Sequence, residues 1–260
     1  MRRQYPDRQE GWLPDLFTSL PADERDRLLS QGSVRELAEG EDLRATESAL
    51  IRVESGLVRI FVPGEERRLT VGLLGPRDTL ISSLYHEWQP TVYGLQAEEP
   101  STVRIVPREA VLAVADRHPE FSHALLRHLS WAQWYLFERL QSLVFSTLRE
   151  RVCRALLNLA VVMGTPRDGG VHLGIRMTQE ELAELVGTRR ESLSATLQAL
   201  REEGVLELRY ARIDIKNLRA LRRICGEEAL PFVASRLNGA TERRTGRRAS
   251  GSSRAASARS

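Results

Sequence analysis

The chain has 260 residues, 42% apolar and 28% charged, with a formal net charge of +3; this is long enough for two domains with cores of their own and ordinary for a soluble globular protein. No apolar run approaches the ~18 residues of a membrane span, and the N-terminal MRRQYPDRQEG lacks the apolar core of a secretory signal. Cys153 and Cys225 are the only cysteines, with no CxxC spacing, so buried or incidental thiols are expected rather than a disulfide framework, and the cytoplasm is the expected compartment.

Residues 12–30 are expected to be helical, with Leu16, Leu20, Leu28 and Leu29 around Pro21, a residue that suits a first helical position. From 33 to 107 the pattern changes to short β-type runs, ALIRVESG, LVRIFVPG, RRLTVGLLG, TVYGLQA and STVRIVP. Gly, Pro and acidic turns separate them, which predicts an antiparallel sandwich or barrel, by default with a filled interior. A short helix follows over 108–117 and a long one over 119–145. Along the long helix Leu129, Leu136 and Leu143 recur at seven, with Leu125 and Ala132 on the companion line and Leu140 beside them. This is the pattern of a coiled-coil seam. Trp131, Trp134, Tyr135 and Phe137 add bulk beyond a narrow stripe, so the helix reads as a subunit interface that also packs on the barrel; a long intradomain helix is the alternative. Residues 147–163 make a further helix, and GTPRDGG at 164–170 reads as a loop.

The most informative stretch is TQEELAELVGTRRESLSATL at 178–197. Leu182, Ala183, Leu185 and Val186 give one short helix an apolar face, and Gly187 ends it as a C-cap glycine would. Thr178 suits the N-cap of that helix, with Glu181 completing a capping box. A second amphipathic segment opens at Thr188-Arg189-Arg190-Glu191 and places Leu193, Leu197 and Leu200 on one face. This is a helix-turn-helix whose second helix presents a polar, charged N-terminus, the end that meets base edges in a major groove. VLELRY and ARIDIK, meeting near Tyr210-Ala211, form a wing. Residues 217–237 are expected to hold one or two short helices, and the Arg-rich tail 238–260 to be disordered.

Charge is distributed accordingly. Residues 1–145 carry 17 basic and 22 acidic side chains, residues 146–226 carry 14 and 10, and residues 238–260 carry six Arg and one Glu. Positive charge gathered in the C-terminal half fits a nucleic-acid footprint; a solvated surface with a basic tail fits it as well.

Barrel, long helix and winged helix-turn-helix in that order resemble the bacterial CRP/FNR family of transcription regulators. The resemblance covers roughly residues 12–225. It is carried above all by MTQEELAELVGTRRESLSATLQALREEGVLEL and the wing, and also by LLNLA at 156–160. LLGPRDTL at 73–80 is similar to the family's Gly-Pro-Gly-Asp turn, with Arg77 in place of a glycine. The resemblance implies an α+β fold in four parts. A cyclic-nucleotide-binding-like β-roll or jelly roll occupies 12–117, and a dimerisation helix 118–145. A winged helix-turn-helix DNA-binding domain spans 146–226, before the basic tail.

It further implies a homodimer joined through Leu125, Leu129, Ala132, Leu136, Leu140 and Leu143. Its partner is double-stranded promoter DNA, read as an inverted repeat with half-sites about one helical turn apart. Arg190 and Glu191 fall at the family's principal base-reading positions, with Ser194 and Ala195 beside them. Arg suits guanine and Glu the cytosine amino group. Glu191 has two other possible roles, orienting Arg190 or answering the helix dipole. Ala195 stands where the cyclic-AMP receptor has an arginine, which implies a related half-site read more loosely. Thr178, Gln179, Thr188, Arg189 and Ser192 are candidate phosphate contacts. RNA polymerase is the implied protein partner, through the loop 164–171, with activation the expected mode.

The sensor region departs further. Where the family's cyclic-nucleotide cassette has a ribose-binding Glu and a phosphate-binding Arg-Ser pair, this chain has Ser82, with Ser83 beside it, and Thr91 and Val92. Leu136 and Phe137 stand where the adenine would lie, and no Arg occurs between Arg77 and Arg104. Such a degenerate pocket leaves an anionic phosphate without compensation, so cyclic AMP is not expected to bind. A family-type iron–sulfur cluster needs four cysteines, and His86, His118, His123 and His128 are too scattered to suggest haem, so no cofactor is expected. The reading is a regulator competent without a small ligand; one that needs an unidentified effector is the alternative. No catalytic triad, metal-ligand set or phosphate loop points to an enzyme. An architectural DNA binder using the tail and DNA shape is the remaining alternative.

Overall fold

The computed structural model describes residues 15–43, 49–65, 67–81, 93–167, 170–173, 178–209 and 212–226. Contacts group them into two compact units, one running to Ser146 and including Glu180–Arg189, the other made of Thr147–Gln179 and Arg190 onward.

The first unit opens with a 3-10 turn, Leu16–Ser19, and helix α1, Ala22–Ser30. The expected single helix is thus two pieces, and Pro21 precedes α1 at its N-cap. Eight strands follow: β1 (Ser33–Leu37), β2 (Asp42–Leu43), β3 (Ala49–Ser55), β4 (Val58–Pro63), β5 (Arg68–Leu74), β6 (Thr79–Ile81), β7 (Gly94–Ala97) and β8 (Ser101–Pro107). They form two antiparallel sheets, ordered β1-β8-β3-β6 and β2-β7-β4-β5, the β-roll. Side chains alternate across the first sheet as period-2 geometry requires. Ile51, Val53 and Val103 join Val58, Leu74 and Leu95 of the second sheet in one core. Leu50 and Val106 face the other way, into a second core with Leu16, Phe17 and Leu28.

Helix α2 (Arg108–Arg117) and the 27-residue α3 (Pro119–Phe145) complete that second core through Val111, Val114, Phe121 and Leu125. Pro119 opens α3 at a position where its missing N–H costs nothing.

Two arginines shape the periphery of the roll. Arg52, buried on β3, lies 4.6 Å over the Phe17 ring and makes a forked pair with Asp15, at 2.9 and 3.3 Å. Burial pulls the Asp15 carboxyl upward, but the Arg52 hydrogen bond and charge outweigh it and hold Asp15 below the usual range. Arg77, in the turn resembling the family's glycine-rich one, has φ +74°. That conformation costs a residue with a Cβ roughly 1 kcal/mol. The turn is held by the Arg77 N–H bonded to the Val53 carbonyl at 2.8 Å and by the Gly75 N–H bonded to the buried Asp78 carboxylate at 2.8 Å.

The second unit is built around α4 (Leu148–Met163), whose start is fixed by a capping box between Thr147 and Glu150. Its buried face carries Val152, Cys153, Leu156, Leu157 and Ala160. Residues 164–170, expected as a loop, instead contribute β9 (Gly164–Arg167) and the start of β10 (Gly170–Leu173), an antiparallel pair. Turn-forming residues mark the tip of a hairpin as readily as a loop, and β10 is held in place by pairing with β12. The wing strands β11 (Leu206–Arg209) and β12 (Arg212–Ile215) pair as expected and complete a four-stranded sheet, β11-β12-β10-β9. Helix α7 (Leu218–Ile224) begins where the Asn217 side chain caps the Ala220 N–H at 3.0 Å. The tail 238–260 lies outside the described residues.

Candidate nucleic-acid interface

The helix-turn-helix consists of α5 (Gln179–Val186) and α6 (Arg190–Glu202). Leu182, Ala183 and Val186 are buried on α5, and Leu193, Leu197 and Leu200 on α6, as the spacing predicts. Leu185 is only half-buried. Gly187 has φ +75°, and the Gly187 and Thr188 N–H groups both donate to the Ala183 carbonyl at 2.9 Å. This is a left-handed C-cap that a side chain would strain.

Only Thr188 and Arg189 then separate that glycine from α6. The new helix therefore starts with its unpaired N–H groups and the positive end of its dipole beside Arg190, Glu191 and Ser192. All three are exposed, as is Ala195; Ser194 and Gln198 are half-buried on the adjoining flank. The Thr196 hydroxyl is occupied, donating back to the Ser192 carbonyl at 2.9 Å. Thr178, Gln179 and Arg189 are exposed and Thr188 half-buried. The far end of α6 is tied to α4 by Arg149, whose Nη1 meets Glu203 Oε1 at 2.6 Å in a two-pronged pair.

The sheet beside α6 has its own charge pattern. Glu207 is shared by Arg209 at 2.8 Å and Lys216 at 3.3 Å; those two hydrogen bonds hold its carboxyl below the usual range. Arg212 remains exposed. His172 of β10 pairs with Asp214, its register partner on β12.

Both cysteine thiols are silenced by burial. Burial pushes the Cys153 thiol up to about 12 and Cys225 up to about 11, so neither is a thiolate nucleophile near neutrality. Among the described residues no cluster of three or more His, Cys, Asp or Glu could hold a metal, and no helix is long and apolar enough to cross a membrane.

Along α3 the structure divides the predicted seam. Leu129, Leu136 and Leu140 are exposed, whereas Ala132 and Leu143 are half-buried. Leu125 is buried in the second core of the roll and so leaves the exposed stripe. Leu126, Phe137 and Val144 take up that stripe, each more than 60% exposed, with Phe145 at the end. The stripe's spacing of three, four and seven follows the 3.6-residue period of a helix rather than the strict seven-residue repeat of the predicted seam. The opposite face carries Trp131 stacked on Tyr135 at 5.4 Å, the Tyr135 hydroxyl bonded to the Val71 carbonyl at 2.9 Å, and Arg139 bonded to the Thr70 carbonyl at 3.1 Å. Of the degenerate cassette, Ser82, Ser83, Thr91 and Val92 lie outside the described residues. Leu136 and Phe137 are open to solvent within this single chain.

Residues 150–224 match the family described as a Crp-like helix-turn-helix domain. The chain is 32% identical over 216 residues to the cyclic AMP receptor protein of Thermus thermophilus, covering 80% of this chain and 95% of that one. It is 32% identical over 162 residues to the CRP-like cAMP-activated global transcriptional regulator of Mycobacterium tuberculosis, covering 62% and 70%. A solved CRP/FNR-family transcriptional regulator of Thermus thermophilus superimposes with a TM-score of 0.62 at 25% identity, over 74% of this chain and 98% of that one.

Proposed function

Since the chain belongs to the CRP/FNR family of transcription regulators, and is thus a DNA-binding regulator and not an enzyme, we propose that it binds promoter DNA as a homodimer, reads an inverted repeat, and activates transcription with RNA polymerase in the cytoplasm without cyclic AMP. The observation that carries this reading is the exposed N-terminal turn of α6, set on the buried leucines of the same helix. Arg190 supplies a fork for guanine and Glu191 an acceptor for a cytosine amino group, with Ser194 and Ala195 on the same side. Thr178, Gln179, Thr188, Arg189 and Ser192 flank them as phosphate contacts that set register.

Dimerisation is supported by the apolar stripe of α3. A 27-residue helix exposing Leu126, Leu129, Leu136, Phe137, Leu140 and Val144 presents the kind of apolar surface that marks protein–protein interaction sites. A two-fold pairing along it makes the DNA site a repeat of matching symmetry.

Independence from cyclic AMP is supported by the charge available at the cassette. Its one arginine, Arg77, lies 3.3 Å from Asp15, and no other occurs before Arg104. A buried cyclic phosphate there would lack a charge-assisted partner. Selection of bound DNA from a random pool by the ligand-free protein, repeated with cyclic AMP, tests the reading. A sharp inverted repeat without additive is expected. A motif that emerges only with cyclic AMP would refute the ligand independence, and weak sequence dependence with a steep salt slope would identify an architectural binder.

A further inference from the structure

Arg59 on β4 is 6% exposed, and a buried guanidinium is tolerated only when its charge and donors are met. Two partners come from the roll. Glu98, just beyond β7, brings Oε1 to 2.6 Å from Arg59 Nε, and the Gln96 side-chain oxygen accepts from Nη2 at 2.7 Å. Gln96 is held in that orientation because its amide donates to Asp42 at 2.8 Å and to the Gly40 carbonyl at 3.1 Å. The third partner is Glu184 of α5, paired with Nη1. A second tether reaches the same helix, since Arg139 of α3 also donates to the Leu185 carbonyl.

Two carboxylates, Glu98 and Glu184, thus meet one guanidinium, the charge of Glu181 also reaches Glu98, and Asp42 stands one hydrogen-bond step behind Gln96. Fully ionised, the three glutamates and Arg59 leave an excess of two negative charges at a site shielded from water. Burial pushes the Glu98 carboxyl up to about 6, Arg59 opposes this, and Glu181 and Glu184 raise it further. A proton on Glu98 removes its repulsion of Glu181 and Glu184 and leaves Arg59 to Glu184.

We infer that Arg59 clamps the first helix of the helix-turn-helix onto the β-roll through Glu184, and that protonation of Glu98 tightens the clamp. The sign follows from linkage: a group that binds its proton more tightly in the docked arrangement favours that arrangement as pH falls through 6. The consequence for transcription, that the DNA-reading motif is sensitive to mild acid through the roll, rests on the function proposed above; the clamp itself does not.

Hydrogen exchange of the full chain in the absence of DNA, at pH 7.5 and 5.5 and corrected for intrinsic rates, reads the clamp directly at residues 179–186. Wild-type protection of α5 is expected to rise severalfold at pH 5.5. Glu98→Gln, which fixes the neutral form, is expected to show the pH 5.5 protection at both values. Glu184→Gln, on α5 itself and without a role in the roll's core, is expected to lower α5 protection at least about threefold while α4 is unchanged; threefold corresponds to about half a tenfold step. Unchanged α5 protection in Glu184→Gln, or a wild-type pH dependence surviving in Glu98→Gln, overturns the inference. A failure of DNA selection would leave this measurement unaffected, so the two ideas fall separately.

Discussion

His128 gives the roll a built-in sensitivity to acid. It sits on α3 at 3% exposure, hydrogen-bonded to the Thr79 backbone, while Nδ1 is buried without a partner. Burial pushes its pKa down to about 4, against 6.5 for an ordinary histidine, and the Thr79 bond offsets only part of this. The folded state therefore binds this proton more weakly than the unfolded chain. Stability conferred by the neutral ring is fully present above 6.5 and is lost as pH falls from there to 4. At 1.36 kcal/mol per pH unit the whole loss is about 3 kcal/mol, of which about 2 kcal/mol falls between pH 7.5 and 5.0. Glu98 acts in the opposite sense between 6 and 4.5, so the assay must be differential. Urea unfolding of wild type and His128→Gln is compared at both pH values, the amide retaining a donor for Thr79 without titrating. The variant is expected to be less stable at pH 7.5 but to lose about 2 kcal/mol less than wild type on acidification. Equal losses in the two proteins would refute the assignment of a buried, neutral ring.

Three further outcomes test the proposed assembly and its DNA contacts. Leu140→Glu places a charge on the exposed stripe of α3, where the single chain has room for it; helical content should be kept, while sedimentation shows self-association weakened by roughly 3 kcal/mol or more. Arg190→Ala should cost ~1–3 kcal/mol of DNA affinity and relax preference at one base pair of each half-site; an equal loss on every sequence would mark Arg190 as a phosphate contact. Deletion of 238–260, which carries six Arg and one Glu, should lower non-specific affinity and flatten the salt dependence of binding; an unchanged slope would remove the tail from the interface.

Local pattern carried most of the architecture. Gly187 and the leucines at 193, 197 and 200 are legible because a helix terminator and a 3.6-residue period are local properties. Strands β3, β4, β5, β7 and β8 were readable from alternation, whereas β1, β2 and β6 were not. β2 and β6 are two and three residues long, and four of the five residues of β1 are exposed. The β9–β10 hairpin was hidden by Gly and Pro, which signal a turn without saying whether strands flank it. Leu125 shows the limit of periodicity: it keeps the seam's spacing, but residues of the opening 3-10 turn such as Phe17, more than a hundred positions away, share the core in which it is buried. Arg59 was invisible for the same reason, since Glu184 stands 125 residues away in sequence.

The two faces of α3 assign that helix a double duty that neither alone would require. A helix serving only to finish the roll needs Phe121, Ala124, Leu125 and His128, and these are the residues that its first half buries. A helix serving only to dimerise needs one apolar stripe and a solvated remainder. Instead, the second half exposes Leu136, Phe137, Leu140 and Val144 on one side. On the other, Tyr135 and Arg139 bond to consecutive carbonyls of β5, Val71 and Thr70. A rotation or slide of α3 within a dimer would therefore strain hydrogen bonds to β5, because both are anchored to backbone atoms whose positions the sheet fixes. The proposed interface and the roll are mechanically joined through this helix, and a change in either has a direct route to the other.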